Sequence, residues 1–181
     1  VAADQVRTVV GAATLPVVVD GDGIRALGRD AGAVIGSRPS TEVDVVLTPH
    51  DGEFEALTGA APSADRFEAV RQAAAATGAV VLLKGPTTLV AHPDGRVLAS
   101  DVGDERLATA GSGDVLTGVI VGLIASGMDP WRAAASGAFL HGTAGALAWR
   151  RGLVAGDLVD HLPAAFAEVA GGSIATLHSR L

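Results

Sequence analysis

Two hydrophobic patterns alternate along the chain. Short runs rich in apolar, mostly β-branched residues at residues 15–20, 43–47 and 79–83 predict strands that are covered on both faces of a sheet. Apolar residues that recur every three or four positions predict helices at residues 63–77, 115–126, 129–149 and 155–170. Strands that alternate with helices in this way predict an α/β fold.

Turn and capping residues refine these boundaries. Asp94-Gly95 lies in the middle of residues 89–98 and predicts a β-hairpin. Gly78 is placed to end the helix that precedes it. Asp129 stands before a proline, which is a typical helix start.

The other segments are less regular. Val1, Val6, Val9 and Val10 have near-helical spacing, so we expect a helix that leads directly into the first strand. We expect residues 24–40 to form a short helix followed by a loop. We expect Pro163 to interrupt the last helix, because proline has no N–H group to donate.

Composition excludes several classes of function. The 181 residues suffice for one domain with a sizeable core, and 49% of them are hydrophobic. A net charge of −7 and an aromatic content of 3% argue against a nucleic-acid partner, which needs basic grooves and stacking rings. No apolar run reaches the ~18 residues of a membrane span. The chain has no cysteine, so disulfides and thiolate sites are excluded, which suits a cytoplasmic protein.

A glycine-rich turn at residues 109–116 reads Thr-Ala-Gly-Ser-Gly-Asp-Val-Leu and leads into a helix. Helix starts offer unpaired N–H groups to anions, and Gly111 and Gly113 let a bound group approach the main chain closely. Asp114 would repel that anion, so it is either an ordinary first-turn acid or a group with a chemical role, as a base or through a metal. His141 lies in the predicted helix at residues 129–149. It either borders a nucleotide base or is a buried histidine whose hydrogen bonds are satisfied within the protein.

Acidic residues follow the first strand. Asp20 and Asp22 come just past the carboxyl end of a buried strand, which is where open α/β sheets bind ligands. An acidic turn without a ligand has the same composition, and both interpretations stay open for Asp22.

The next two strands also end in polar residues. His50 and Glu53 follow the second strand, and this pair can present an imidazole and a carboxylate to one pocket, although it lacks the spacing of a zinc helix. Alternatively, His50 bonds to backbone and Glu53 is an acid of the first helical turn. After the third strand come Lys84, Gly85, Pro86, Thr87 and Thr88. A lysine and two hydroxyls suit a phosphate, and they also suit an ordinary solvated strand end.

In this order, the motifs resemble the C-terminal two thirds of the NAD(P)H-hydrate dehydratase family of the ribokinase-like superfamily. The matching motifs are Thr-Pro-His at residues 48–50 with Glu53, Lys-Gly at 84–85 with Thr88, and Ala-Gly-Ser-Gly-Asp-Val-Leu at 110–116. Further matches lie at residues 18–23, 138–145 and 155–163. The resemblance implies one ribokinase-like domain over residues 1–181, a three-layer α/β/α fold with a largely parallel central sheet that is incomplete at its N-terminus.

The resemblance also implies an activity, the repair of hydrated NADH or NADPH. The hydroxyl of the nicotinamide ring takes the terminal phosphoryl group of ADP or ATP, and phosphate then leaves to restore the double bond. Asp114 would be the catalytic base that removes the hydroxyl proton. The peptide N–H groups of the turn would stabilise the phosphoryl charge, through Gly111, Ser112 and Gly113.

The same resemblance assigns the other candidates. Lys84, Gly85, Pro86, Thr87 and Thr88 would bind the nucleotide. Asp20, Asp22, His50 and Asp114 would contact the hydrated dinucleotide, and Glu53 would hold Mg²⁺ through water. Family members commonly form homotetramers or larger assemblies and are often fused to, or act with, an NAD(P)H-hydrate epimerase.

Two alternative functions stay open. A ribokinase-like kinase of a vitamin precursor would share the glycine-rich turn and the aspartate base but keep its phosphorylated product. Family members also carry an N-terminal block that contributes to the hydrated-cofactor pocket and that this sequence does not contain. A truncated nucleotide-binding domain without catalysis is therefore the second alternative.

Overall fold

The computed structural model describes residues 2–40 and 42–171. Five strands form one sheet: β1 (Val17–Val19), β2 (Val45–Leu47), β3 (Val80–Leu83), β4 (Thr88–Ala91) and β5 (Val97–Ser100). In these two ranges the chain also forms eight α-helices: α1 (Ala2–Ala12), α2 (Asp22–Leu27), α3 (Ala31–Gly36), α4 (Asp51–Thr58), α5 (Arg66–Thr77), α6 (Ser112–Ala125), α7 (Pro130–Leu147) and α8 (Ala155–Ala170).

The sheet is mixed, with the strands in the order β1-β2-β3-β4-β5. The first three strands are parallel, whereas β4 and β5 form the predicted hairpin and pair in antiparallel fashion. Because β1, β2 and β3 are parallel neighbours, their carboxyl ends lie side by side at one edge of the sheet. This edge receives Asp20, His50 and Lys84.

Alternating side chains of the central strands supply two apolar cores. Leu47, Val81 and Leu83 pack towards α1 to α5, whereas Val46 and Leu82 pack towards α6 and α7. These five side chains are fully buried. The arrangement is therefore the three-layer α/β/α fold that the resemblance implied.

Strand β1 is shorter than the apolar run that predicted it. Pro16 has no N–H group for the sheet, and the carbonyl of Leu15 accepts a hydrogen bond from the Arg38 guanidinium at 2.9 Å. Leu15 is 73% exposed, so the run enters the sheet only at Val17.

The segment before β2 contains more helix than expected. Instead of one short helix and a loop, α2 begins at Asp22, and a 3-10 turn at Gly28–Asp30 separates it from α3. Gly28 has a φ of 53°, which a continuing right-handed helix does not allow, so the helix breaks there.

The expected interruption of the last helix at Pro163 is wrong, because α8 runs through it. Pro163 removes the hydrogen bond to the carbonyl of Val159. Both residues are exposed, so water can satisfy that carbonyl on the solvent side. No helix of the described residues combines the length and the apolarity that crossing a bilayer requires.

Candidate functional site

An ion pair joins the ends of two strands that are not neighbours. Nζ of Lys84, after β3, lies 2.8 Å from Oδ1 of Asp20, after β1. The same ammonium lies 3.6 Å from Oε2 of Glu53, in the first turn of α4 beyond β2. The three strand ends that the sequence singled out therefore share one cation.

The Asp20 carboxylate is held in its charged form. Burial raises its pKa, but the hydrogen bond and the charge of Lys84, together with hydrogen bonds from Thr48 and the Gly21 backbone, lower it by more. The pKa therefore lies below the usual value of an aspartate. The hydroxyl of Thr117, on α6, donates to the second carboxylate oxygen at 3.3 Å. Asp20 is thus a negative charge that links the start of α6 to the carboxyl ends of β1 and β3.

His50 and Glu53 form a capping box at the start of α4. The N–H of His50 donates to Oε2 of Glu53 at 2.9 Å, and Nδ1 of His50 accepts from the N–H of Gly52 at 3.0 Å. Nε2 of His50 lies 3.2 Å from Oε1 of Glu53. The Glu53 side chain is 7% exposed and that of His50 51%, so the imidazole keeps an open face while the carboxylate is buried.

The glycine-rich turn starts α6 three residues earlier than expected. Gly111 is the N-cap, with a φ of 84° that other residues rarely adopt. Gly113 and Asp114 therefore lie in the first helical turn. Within residues 2–40 and 42–171, no protein acceptor bonds to their N–H groups, which leaves them open to an anion.

Gly113 brings this helix start against the ion pair. A β-carbon added at Gly113 would lie 3.3 Å from Oδ2 of Asp20 and 3.6 Å from Nζ of Lys84. The glycine-rich turn, Asp20 and Lys84 therefore border one place, at the carboxyl edge of the sheet.

Asp114 and Asp22 are both exposed acids in first helical turns. Among the described residues, neither has a hydrogen bond or ion pair to its side chain. Asp114 follows directly on Gly113 and so belongs to the site by position. No contact links Asp22 to Lys84, and the structure leaves its predicted role untested.

Ser112 differs from the other turn residues. It is 4% exposed, and its hydroxyl lies 3.0 Å from Nε2 of His141 on α7, away from the open face of the turn. The Ser112 N–H donates to the Thr109 carbonyl at 3.2 Å. Neither the side chain nor the N–H group of Ser112 is therefore free for a ligand, unlike the N–H groups of Gly113 and Asp114.

Two residues that the motifs did not indicate also shape the site. One is Thr117, described above. The other is Arg66, at the start of α5, which forms two hydrogen bonds to the Asp51 carboxylate (2.9 and 3.1 Å) and one to the Lys84 carbonyl at 3.0 Å. Arg66 therefore ties the loop that begins at Lys84 to α4. Only its place at a helix start was visible in the sequence.

The loop after Lys84 carries the other predicted nucleotide contacts. Gly85 and Pro86 are exposed, and Thr87 and Thr88 are half-buried. A β-carbon at Gly85 would lie 2.8 Å from the end of the Arg66 side chain, so a larger residue there would require the guanidinium to move. The two hydroxyls have no hydrogen-bond partner in the described part of the chain.

Two cavities lie away from this site. One of about 660 Å³ is lined mainly by residues of α3, α4 and α5. The other, of about 390 Å³, is mostly apolar and lies between the β4–β5 hairpin and the last three helices. Neither is lined by Lys84 or Asp114, so the candidate site is an open edge rather than either of these hollows.

The chemistry of the site suits a cation beside an anion. Across residues 2–40 and 42–171, no three His, Asp or Glu side chains gather to enclose a metal ion. Mg²⁺, however, commonly takes only one or two carboxylates, together with waters and substrate phosphates. The Lys84 ammonium already places a positive charge 3.6 Å from Glu53. A Mg²⁺ held through water by Glu53 would therefore share this carboxylate with Lys84 and with the His50 N–H group.

Comparison with known proteins adds an independent finding. A family model described as NAD(P)H-hydrate dehydratase matches residues 2–166. A bifunctional NAD(P)H-hydrate repair enzyme of Moorella thermoacetica is 44% identical over 167 residues, which are 88% of this chain and 31% of that protein. An ADP-dependent (S)-NAD(P)H-hydrate dehydratase of Neisseria meningitidis is 46% identical over 132 residues, 71% of this chain and 44% of that one.

A solved structure agrees with these relatives. The ADP/ATP-dependent NAD(P)H-hydrate dehydratase of Bacillus subtilis, co-crystallised with ATP and Mg²⁺ and soaked with CoA, superposes with a TM-score of 0.74 at 33% identity. The match covers 88% of this chain and 58% of that structure. The chain thus spans less than half the length of the curated relatives it matches, and little more than half of the solved one.

Proposed function

Because the chain belongs to the NAD(P)H-hydrate dehydratase family, we propose that it takes part in the nucleotide-dependent dehydration of hydrated NADH or NADPH. One observation carries this proposal. The open N–H groups at the start of α6 lie against the Lys84–Asp20 pair, and an exposed carboxylate, Asp114, follows directly. This arrangement combines an anion site with a base.

The proposed reaction has two steps. The ring hydroxyl gives its proton to Asp114 while its oxygen bonds to the terminal phosphorus of ADP or ATP, which releases AMP or ADP. The C–O bond of the phosphorylated ring then breaks, phosphate departs with the bonding electrons, and loss of a ring proton restores the double bond. Phosphoryl transfer depends mainly on positioning and charge neutralisation, so few side chains are needed.

The chain's own groups supply that neutralisation. The N–H groups of Gly113 and Asp114 face the transferring phosphoryl group, and Gly111 sets their direction through its left-handed backbone. Lys84 is a mobile point charge that can leave Asp20 for a phosphate. Gly85, Pro86, Thr87 and Thr88 form the loop that holds the rest of the nucleotide.

We assign the hydrated dinucleotide to the side of Asp20, Asp22 and His50. The open face of the half-exposed His50 ring supports this assignment, because Glu53 and the helix start hold the ring in place. When bound, Mg²⁺ would neutralise charge on the nucleotide phosphates. Glu53 would hold it through water, and ADP and ATP remain equivalent donors in this proposal.

The assay is recovery of reduced-nicotinamide absorbance after ADP or ATP is added to hydrated NADH, with ADP binding measured on the same sample by calorimetry. We expect both signals. A phosphorylated product that persists would instead indicate a small-molecule kinase. ADP binding without turnover would indicate a nucleotide-binding domain that is not catalytic by itself.

We also propose a homo-oligomer of tetramer size or larger in the cytoplasm. Apolar side chains on the last helix are exposed, among them Val159, Phe166 and Val169, and a subunit interface would cover them. Light scattering coupled to size-exclusion chromatography tests the assembly, and a monomer would contradict it. Relatives are named as bifunctional repair enzymes, so an epimerase is the proposed functional partner.

A further inference from the structure

His141 is a buried polar residue behind the glycine-rich turn. It lies in the middle of α7 and is 6% exposed. Its Nε2 atom is 3.0 Å from the hydroxyl oxygen of Ser112 and 3.0 Å from the carbonyl oxygen of the same residue. Both contacts reach the first residue of α6.

These distances determine where the His141 proton lies. A carbonyl oxygen only accepts hydrogen bonds, so Nε2 must carry the proton and donate to Ser112. Burial lowers the pKa of His141, the positive charge of Lys84 lowers it further, and the hydrogen bond to Ser112 opposes both without reversing them. The ring is therefore a neutral donor with its proton on Nε2.

The Ser112 carbonyl and the Gly113 N–H belong to one peptide group. In a planar trans peptide these two bonds point in opposite directions. A donor that holds the carbonyl on the α7 side therefore keeps the N–H directed to the other side. Asp20 and Lys84 lie beside Gly113, within 3.6 Å of a β-carbon added there.

Glycines on α7 allow the segment that leads into the glycine-rich turn to pack closely against this helix. Gly142, beside His141, packs directly against the Val102 backbone, and a β-carbon there would collide with the Val102 carbonyl. One turn further, Gly145 packs against Leu107, whose side chain would lie 2.6 Å from an added β-carbon. Val102, Leu107 and Ser112 therefore pack against one face of α7, where His141 is the hydrogen-bond donor.

We propose that His141 is a positioning residue for phosphoryl transfer, which aims the Gly113 N–H at the transferring group by holding the Ser112 peptide. This role rests on the proposed function, because it presumes a nucleotide at the start of α6. His141 itself does not touch the nucleotide. It acts through the peptide group that does.

Two amide variants separate positioning from simple packing. Glutamine places its amide nitrogen near the position of Nε2, whereas asparagine ends near that of Nδ1, so His141→Gln keeps the donor to Ser112 and His141→Asn loses it. Thr143→Val is the matched control, since Thr143 is equally buried on α7 but bonds only within its helix, to the Phe139 carbonyl.

Two measurements are made on all four proteins, namely ADP affinity by calorimetry and amide hydrogen exchange of residues 111–116. We expect His141→Asn to weaken ADP binding about tenfold, because a small misplacement of an oriented donor is costly. It should also speed exchange at Ser112 and Val115, whose N–H groups donate to the carbonyls of Thr109 and Gly111 and so hold the turn. His141→Gln and Thr143→Val should stay within about threefold of the original protein. If the unaltered chain turns over hydrated NADH, His141→Asn should lower kcat by a larger factor than it changes the KM for hydrated NADH.

The outcomes are distinct. Equal ADP affinity and equal exchange in the asparagine and glutamine variants would overturn the positioning role. If the unaltered chain fails to bind ADP, the proposed function fails instead, and exchange at residues 111–116 still decides whether His141 orders the turn. Thermal unfolding identifies any variant that has lost its fold. If one of the two His141 variants is lost, exchange in the remaining one is compared with exchange in Thr143→Val and in the unaltered chain.

Discussion

Nζ of Lys84 lies 2.8 Å from Oδ1 of Asp20, although 64 positions separate the two residues in the sequence. They follow β3 and β1, and the pair spans the end of the intervening strand β2. A nucleotide phosphate that recruits Lys84 must therefore compete with a carboxylate already in place. The strength of that competition sets how much Lys84 contributes to binding.

Replacement of Lys84 tests its assignment to the nucleotide. We expect Lys84→Ala to weaken ADP affinity by about one to two orders of magnitude, because a charge-assisted contact with phosphate is worth roughly 1.5–3 kcal/mol. The measurement is calorimetric titration with ADP. Arg132→Ala is the control, since Arg132 is an exposed cation on α7 paired only with Asp129. Unchanged affinity for Lys84→Ala would place it outside the phosphate site.

We expect the Asp114 carboxylate to be needed for turnover of hydrated NADH but not for ADP binding. Its side chain has no partner among the described residues, so Asp114→Asn leaves the fold intact. We expect this variant to abolish turnover of hydrated NADH with ADP affinity within about threefold of normal, the result for a group that acts in the transition state. Asp160→Asn, an acid exposed on α8, serves as the control. Near-normal turnover in Asp114→Asn would show that another group is the base.

Much of this site was predictable because it depends on local signals. A buried strand followed by polar residues marks a sheet edge, and the glycine-rich turn followed by apolar helical spacing marks a helix start. Because β1, β2 and β3 are parallel neighbours, Asp20 and Glu53 then both lie close to the Lys84 ammonium. The role of each residue came from the family resemblance, because spacing alone does not specify nicotinamide.

The contacts that hold the site in place were not predictable. Arg66 reaches the Lys84 carbonyl across 18 positions, and Thr117 reaches Asp20 across 97. Neither residue lies in a motif, and their partners are set by how helices pack on the sheet. The prediction for Pro163 was wrong for a related reason, since it depends on which face of the helix packs against the domain. Pro163 lies on the exposed face of α8, where water can replace the missing hydrogen bond and the helix continues.

Arg38 is expected to be the costliest polar residue to remove from the fold. Its side chain is 1% exposed, donates twice to the Asp44 carboxylate (2.9 and 3.2 Å), and also bonds to the carbonyls of Val10 and Leu15. These bonds fix the segment that leads into β1, and hence the position of Asp20. We expect Arg38→Met to lower the free energy of unfolding by about 3–5 kcal/mol, because it leaves a buried carboxylate unpaired.

Urea unfolding measures this loss against two comparisons. Arg132→Met, which breaks an exposed pair, should cost less than about 1 kcal/mol. The double variant Arg38→Met with Asp44→Leu should recover part of the loss, since no buried charge is then left without a partner. A loss from Arg38→Met as small as that from Arg132→Met would mean that the buried pair does not hold the start of β1.

The pH dependence of stability provides a separate test of the His141 environment. Burial lowers the pKa of His141 in the folded chain, whereas the unfolded chain has an ordinary value of about 6.5. Below about pH 6.5 the unfolded state binds a proton that the folded state does not, so the free energy of unfolding falls as the pH falls, by up to about 1.4 kcal/mol per pH unit from this group. The decline from His141 ends once the pH is below its folded pKa. Glutamine does not titrate, so the free energy of unfolding of His141→Gln, measured with urea, should decline less steeply between pH 7 and pH 5 than that of the unaltered chain. Identical slopes would mean that His141 is not held neutral behind the turn.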